Sequence, residues 1–247
     1  MEVYLILSGG AIRGVAHIGV LKALQELGFR IKGVSGVSAG ALVGAYHCAG
    51  YSPKEMLKLI KDREWVSYIR PHIPRYGLFS LRKAEVFLRK TLGVDTFEAL
   101  STPLVVCALD INTGSTLYFS SGELIPPLLG SCALPGIFEP MRYRHYYLVD
   151  GGITNNLPVE PFVGKGTLVA VDVNPLKFSG KPRNVIQILL RSFFLSVRSN
   201  TDKRKEVCHI VIEPDLQGYP LYDIRKVDEI YMLGYTKAME KLKDYAS

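Results

Sequence analysis

Two kinds of hydrophobic pattern follow one another along the chain. Short, mostly apolar runs are typical of buried strands in a parallel sheet, and longer stretches repeat apolar residues at helical spacing. The short runs predict strands at 3–7, 31–35, 104–109, 116–119, 146–149, 167–173 and 208–212. The periodic stretches predict helices at 15–27, 41–47, 53–61, 81–92, 124–133, 183–205 and 227–242, with another beginning at 155–159. Ser52 is the expected N-cap of the helix at 53–61, with Pro53 at its first position, and Ser80 can cap the helix that Gly93 closes. This alternation predicts an α/β fold with right-handed crossovers and a parallel sheet.

Length and composition predict a single α/β domain over residues 1–247. We find no internal repeat, low-complexity segment or linker. The chain is 48% hydrophobic and 21% charged, as expected of a globular protein with a large core. Its net charge of +7 favours anionic partners, which include phospholipid surfaces, nucleic acids and acidic substrates.

The cysteines and the N-terminus favour a cytoplasmic protein. Four cysteines lie far apart and lack the spacing of metal ligands, so we expect them to be reduced. Glu2 stands where a signal peptide would be basic, and the apolar run that follows ends at Leu7. No uninterrupted apolar run approaches the roughly 18 residues that a membrane-spanning helix needs.

A Gly-x-Ser-x-Gly pattern stands between a predicted strand and a predicted helix. Ser38 lies at its centre, with Gly36 and Gly40 on either side. This arrangement is typical of a nucleophile elbow, in which a tight turn holds the serine hydroxyl clear of the sheet at the positive end of a helix. A Cβ at either glycine would crowd the neighbouring strand or helix. The alternative is a strand–helix turn that carries no chemistry.

A glycine-rich loop follows the first predicted strand. The carboxyl ends of parallel strands share one edge of the sheet, so Gly9 and Gly10 should lie near Ser38. Such a loop could cradle a phosphate, but Ala11 after the glycine pair breaks the Gly-x-Gly-x-x-Gly pattern and the P-loop pattern is absent. Free backbone N–H groups that receive an oxyanion fit better beside a serine elbow.

The histidines fit poorly as a base for Ser38. In a triad of the α/β-hydrolase order the histidine follows the aspartate. His17 and His47 lie inside predicted helices, His72 and His145 precede Asp150, and His209 is in the middle of a predicted strand.

A carboxylate is therefore the favoured base, and Asp150 at a strand end is the best placed. Its pKa would have to rise from about 3.9 through burial. An Asx turn without chemistry is the alternative for Asp150. Asp172, also near a strand end, is assigned no chemical role.

Two segments suggest contact with lipid. Residues 65–79 are rich in aromatic residues and arginine and have no regular periodicity, so they form either a loop packed on the core or a membrane-facing lid. Residues 183–205 mix basic and apolar residues at helical spacing. A core helix with a solvated basic face is favoured there over a membrane-surface helix.

Together, three blocks of the sequence resemble the patatin-like phospholipases over about residues 1–175. The blocks are 8–14, 36–40 and 150–152, and the segment 133–138 also fits. The resemblance implies a three-layer α/β/α fold with a mostly parallel sheet. It also implies a Ser–Asp dyad without histidine, and hydrolysis of acyl esters in phospholipids or similar lipids without metal or cofactor.

The resemblance carries over residue by residue. Ser38 and Asp150 match the dyad, and Arg13 matches a basic residue that we expect to position the substrate. The oxyanion donors would be the N–H groups of Gly9, Gly10 and Ala11, to which we add Ala39. The glycines that match the motifs are Gly14, Gly36, Gly40, Gly151 and Gly152. Ala11 departs from the family, which usually has a third glycine there, and its methyl group would stand where the substrate approaches.

The sequence therefore predicts a serine acyl hydrolase that acts on lipid esters. A low-turnover lipid-binding or regulatory protein on the same fold is the alternative, and a nucleotide-binding module ranks third. We expect a lipid partner, no nucleic acid, and a cytoplasmic location, with peripheral contact at the inner membrane surface through 65–79.

Overall fold

A computed structural model describes residues 1–62, 64, 70–71, 77–174, 181–221 and 223–245 of the chain. Its strands are β1 Glu2–Leu7, β2 Arg30–Val37, β3 Arg70–Pro71, β4 Gly77–Ser80, β5 Leu104–Asp110, β6 Ser115–Phe119, β7 Gly136–Phe138, β8 Met141–Tyr143, β9 Tyr146–Asp150, β10 Leu168–Val171 and β11 Ile210–Ile212. Its helices are α1 Val15–Glu26, α2 Ala39–Cys48, α3 Pro53–Lys61, α4 Arg82–Leu92, α5 Ile125–Ser131, α6 Val185–Lys205 and α7 Val227–Leu242.

The described strands build a main sheet in the order β11-β10-β1-β2-β5-β9-β8, with β6 paired to β5. From β11 to β5 the strands run parallel, whereas β6, β8 and β9 are antiparallel to their neighbours. Helices cover both sides of this sheet, which confirms the predicted α/β class and its mostly parallel sheet. A second, small sheet joins β3, β4 and β7.

The residues of β1 show how the sheet divides the core. Leu5 and Leu7 pack into a large cluster with side chains of α1–α5 and α7. Ile6 points the other way, into a smaller cluster that contains Leu157 and Phe162. Because successive side chains of a strand point to opposite faces, a continuously apolar strand is buried from both sides.

Two predicted helix starts differ from the structure. Ser80 is not an N-cap, because it belongs to β4 and pairs with Arg70 of β3, and α4 begins after Leu81 without a side-chain cap. No α-helix begins at 155–159, where the chain instead makes a 3-10 turn at Glu160–Phe162. The side-chain oxygen of Asn155 accepts the Leu157 N–H at 3.1 Å, a local bond that competes with helix formation.

Other details of the prediction are confirmed. Ser52 caps α3 through a capping box with Glu55, and Pro53 occupies the first helical turn. Gly93 ends α4 in the left-handed conformation. Of the segment 65–79, only 70–71 and 77–79 lie within the described residues, and these belong to β3 and β4. The predicted lid therefore lies mostly outside the described residues.

Candidate active site

Ser38 occupies the turn between β2 and α2, at the carboxyl edge of the parallel strands. Its backbone φ of 53° is unusual for a residue other than glycine. A Cβ on Gly40 would lie 2.4 Å from the Leu7 carbonyl oxygen, and one on Gly36 would lie 2.7 Å from the Gly40 backbone. The predicted steric reason for both glycines is therefore confirmed, because the turn brings the backbone of α2 against β1 and β2.

Asp150 ends β9 and lies beside Ser38. The Ser38 side chain lies close enough to the Asp150 carboxylate to lower its pKa, and Oδ1 accepts the Gly152 N–H at 2.8 Å. The Asp150 side chain is buried, and this desolvation raises its pKa from 3.8 to about 6, although the Gly152 N–H and the Ser38 side chain partly oppose the rise. A carboxylate with this pKa is ionised at neutral pH and is a stronger base than an exposed aspartate.

The glycine-rich loop passes directly against the nucleophile. A Cβ on Gly9 would lie 3.1 Å from the Ser38 Cβ. Within the described part of the chain, the backbone N–H groups of Gly9 and Gly10 have no hydrogen-bond acceptor. They are thus available to an anionic oxygen that forms on a carbonyl attacked by Ser38. Ala11 has a φ of 49°, a conformation that glycine adopts more easily.

A polar network that the sequence did not predict holds this loop in place. Asn174 donates its side-chain N–H to the Gly9 carbonyl at 2.8 Å and to Asp172 Oδ1 at 3.1 Å. The Ser8 hydroxyl accepts the Val173 N–H at 3.0 Å. The buried Asp172 in turn forms an ion pair with the partly buried Lys205 at 2.6 Å. Asp172 therefore takes part in the support of the loop, and it does not line the cavity at Ser38.

Arg13 lies behind the loop, outside the cavity lining. Its guanidinium is buried, with Nε donating to the Tyr219 carbonyl at 2.8 Å. Burial, together with the nearby charge of Arg191, lowers the pKa of Arg13 to about 10. These contacts tie the turn after the loop to residues near α7, and they leave the substrate-positioning role of Arg13 a prediction.

The other predicted glycines lie where chain segments pack closely. A Cβ on Gly14 would lie 2.6 Å from the Ala39 Cβ, at the start of α2. A Cβ on Gly151 would lie 2.7 Å from the Cys107 carbonyl oxygen. Gly152 supplies the N–H that binds Asp150.

A cavity of about 550 Å³ contains both Ser38 and Asp150 in its lining. Apolar side chains from α1 to α5 form most of its wall, including Ile18, Met56 and Phe87. Ala11 and Ala39 lie beside the dyad in the same lining. Such a space admits an extended apolar group whose polar end reaches the serine.

No histidine in the described ranges lines this cavity. His17 is fully buried, hydrogen-bonds to the Ser8 carbonyl at 2.9 Å, and has its pKa lowered to about 4 by burial. His209 Nδ1 accepts the Leu168 N–H at 3.1 Å, and His72 lies outside the described residues. Across these ranges we also find no cluster of three or more His, Cys, Asp or Glu side chains that could hold a metal ion, and no helix that could span a membrane.

The fold and this geometry are those of α/β proteins that carry a serine at a strand–helix elbow. A family model described as patatin-like phospholipase matches residues 5–163. The chain belongs to the patatin-like phospholipase family.

Individual relatives agree with this assignment. An uncharacterised NTE family protein of Mycobacterium tuberculosis is 34% identical over 70% of this chain and 49% of its own length. The lysophospholipase nte1 of Aspergillus fumigatus is 28% identical over 98% of this chain and 18% of its own length. This chain thus spans half or less of the length of these relatives.

A solved structure shows the same fold. VipD from Legionella pneumophila superposes with a TM-score of 0.59 at 14% identity, over 98% of this chain and 67% of the VipD chain.

Proposed function

We propose that the chain is a serine acyl hydrolase that cleaves fatty-acyl esters of phospholipids or related lipids. The observation that carries the proposal is that Ser38 lies beside the buried Asp150 in the lining of one apolar cavity. Membership of the patatin-like phospholipase family supports the same reaction.

In the proposed reaction Asp150 accepts the Ser38 proton while Ser38 Oγ attacks the acyl carbonyl. The N–H groups of Gly9 and Gly10, with those of Ala11 and Ala39, stabilise the oxyanion. Asp150 then gives the proton to the leaving alcohol, and an acyl-enzyme remains. Asp150 next takes a proton from water, which attacks the acyl-enzyme. The fatty acid leaves as the acyl–oxygen bond to Ser38 breaks, and Asp150 returns the proton to Ser38 Oγ.

The cavity favours a substrate with one long acyl chain bound inside and the headgroup outside. Its apolar wall offers burial to methylene groups, each of which contributes about 0.8 kcal/mol when it leaves water. A lysophospholipid is the simplest lipid of this kind. The relative named lysophospholipase nte1 supports that choice of substrate class.

Contact with a lipid surface is the second part of the proposal. Among the α6 side chains that the structure describes, four large apolar ones are exposed, and their positions place them on one side of the helix: Val185, Ile188, Leu189 and Leu195. Residues 181–201 contain four basic residues and no Asp or Glu. Apolar exposure together with positive charge fits an anionic membrane surface.

A low-turnover lipid-binding protein remains the alternative. It would use the same apolar cavity, and it differs only in the rate at which Ser38 reacts. The two functions are therefore separated by turnover and not by lipid affinity.

The experiment measures the hydrolysis of palmitoyl lysophosphatidylcholine through the amount of palmitate released. We expect turnover by the wild type, none by Ser38→Ala, and a loss of about 10²–10⁴-fold for Asp150→Asn, the typical effect of removing a general base. Asp110→Asn is the matched control, because Asp110 also ends a strand and is buried but does not line the cavity. A wild type that binds palmitate without turnover would favour the lipid-binding alternative.

A further inference from the structure

Ser131, the last residue of α5, makes two short hydrogen bonds at the back of the nucleophile. Its hydroxyl oxygen accepts the Ser38 backbone N–H at 2.7 Å, and its O–H donates to the Cys107 carbonyl of β5 at 2.7 Å. The side chain is fully buried. One hydroxyl thus joins the elbow, helix α5 and the middle of the sheet.

The elbow needs such a restraint. Ser38 has a φ of 53° and a ψ of −125°, and non-glycine residues in sparsely populated regions cost about 1–3 kcal/mol each. Such a conformation persists only where the surroundings fix it. The hydrogen bond from the Ser38 N–H to Ser131 fixes the backbone conformation of Ser38, whose side chain must lie beside Asp150.

The residues that follow Ser131 contact the other parts of the dyad. The Ala133 carbonyl accepts the Asp150 N–H at 3.0 Å. Cys132 lies near the Ser38 side chain and lines the same cavity. The single short segment 131–133 therefore contacts both Ser38 and Asp150 and holds them next to each other.

We infer that Ser131 is a positioning residue for the proposed hydrolysis: it fixes the Ser38 backbone so that Oγ faces both Asp150 and the acyl carbonyl. The inference rests on the proposed function. The hydrogen bond to Ser131 has a second consequence, because the Ser38 N–H is already donated to the Ser131 hydroxyl. That N–H is not an oxyanion donor, so the charge must be received by the Gly9–Ala11 loop and Ala39.

A purely structural role would have a different signature. Loss of a buried hydroxyl that only stabilises the core lowers the unfolding midpoint but leaves a folded enzyme with its normal rate. A positioning role lowers kcat in the folded enzyme, because a displacement near 1 Å can cost about 10²-fold in rate. KM for a small soluble ester should change little, since the acyl cavity stays intact.

The test compares Ser131→Ala with Ser35→Ala, using p-nitrophenyl ester hydrolysis and the rate of fluorophosphonate labelling. Ser35 is a matched control: it is fully buried on β2, three residues before the elbow, and its hydroxyl has no hydrogen-bond partner in the described part of the chain. We expect Ser131→Ala to lower kcat and the labelling rate by about 10–100-fold with KM within about twofold. Ser35→Ala should retain both rates.

The acid limb of the pH profile gives a further readout. It should keep its midpoint in Ser131→Ala, because Asp150 remains buried, whereas a collapsed site would move it toward the value of an exposed aspartate. If Ser131→Ala does not fold, Ser131→Cys has nearly the same size but hydrogen-bonds weakly and should show the same loss.

Two outcomes decide the matter. A folded Ser131→Ala or Ser131→Cys protein with wild-type kcat would overturn the positioning role and leave the proposed hydrolysis standing. A wild type that neither turns over the ester nor reacts with fluorophosphonate would overturn the hydrolysis, and the positioning role with it.

Discussion

Replacement of Asp150 by asparagine should make the protein more stable at neutral pH while it removes activity. Asp150 as a residue is 5% exposed, and the pKa of its carboxyl group is raised from 3.8 to about 6, chiefly by burial. Asparagine has nearly the same shape, and its oxygen can still accept the Gly152 N–H. The substitution therefore removes a buried charge and little else.

The magnitude follows from the pKa difference. Between about pH 4 and pH 6 the native Asp150 holds its proton while an unfolded aspartate has lost it, so the native state loses stability as pH rises through this range. A difference of about two pKa units corresponds to about 3 kcal/mol, which applies in full above about pH 7. Below about pH 4 both states are protonated and the cost disappears.

The assay is urea unfolding of wild type and Asp150→Asn at several pH values from 4 to 8. The free energy of unfolding of the variant should exceed that of the wild type by up to about 3 kcal/mol at pH 8, and the difference should be small at pH 4. Other titrating groups cancel in this difference because both proteins contain them. A variant that is no more stable at pH 8, or a difference that does not depend on pH, would refute the argument that Asp150 is a desolvated base.

Three other predictions concern the protonation of Asp150, the backbone of the loop at Ala11, and the exposed face of α6. The kcat/KM for a soluble ester should fall below about pH 6, because protonated Asp150 cannot accept the serine proton. Ala11→Gly should raise the free energy of unfolding by up to about 1 kcal/mol. Alanine in a left-handed conformation costs about 1–2 kcal/mol, and the added flexibility of glycine in the unfolded chain offsets part of the gain. A lower stability of the variant in thermal unfolding would contradict backbone strain at Ala11. The Ile188→Asn, Leu189→Asn double variant should bind phosphatidylglycerol vesicles more weakly in sedimentation while keeping soluble-ester activity. The exposed-residue control Val163→Asn should bind as wild type does, and equal binding by all three proteins would exclude α6 as the lipid contact.

The sequence predicted the elements that carry the strongest local patterns. Continuous apolar runs located β1 and β5, and the Gly36–Gly40 pattern located the turn at Ser38, because close backbone approach there leaves no room for other residues. The length of α7 was also predicted from its periodicity.

Features that depend on distant contacts escaped prediction. Strands β7 and β8 have three residues each, too few to show a period, and they form only by pairing with β4 and β9. Ser80 has the chemistry of an N-cap, but strand pairing with Arg70 decides its conformation.

The supporting residues of the site escaped prediction for the same reason. Asn174 reaches Gly9 across more than 160 residues of chain, and Ser131 reaches Ser38 across more than 90. The one local signal was a serine inside the apolar run 124–133, where a buried hydroxyl must find a partner.

The central claim is that Ser38 is a nucleophile activated by Asp150. The most direct measurement is labelling with a fluorophosphonate, followed by mass spectrometry of the proteolysed protein to map the modified residue. We expect a single adduct on Ser38, formed fast in the wild type, slowly in Asp150→Asn and not at all in Ser38→Ala. A folded wild type that is unlabelled, or that carries the adduct on another residue, would contradict the account.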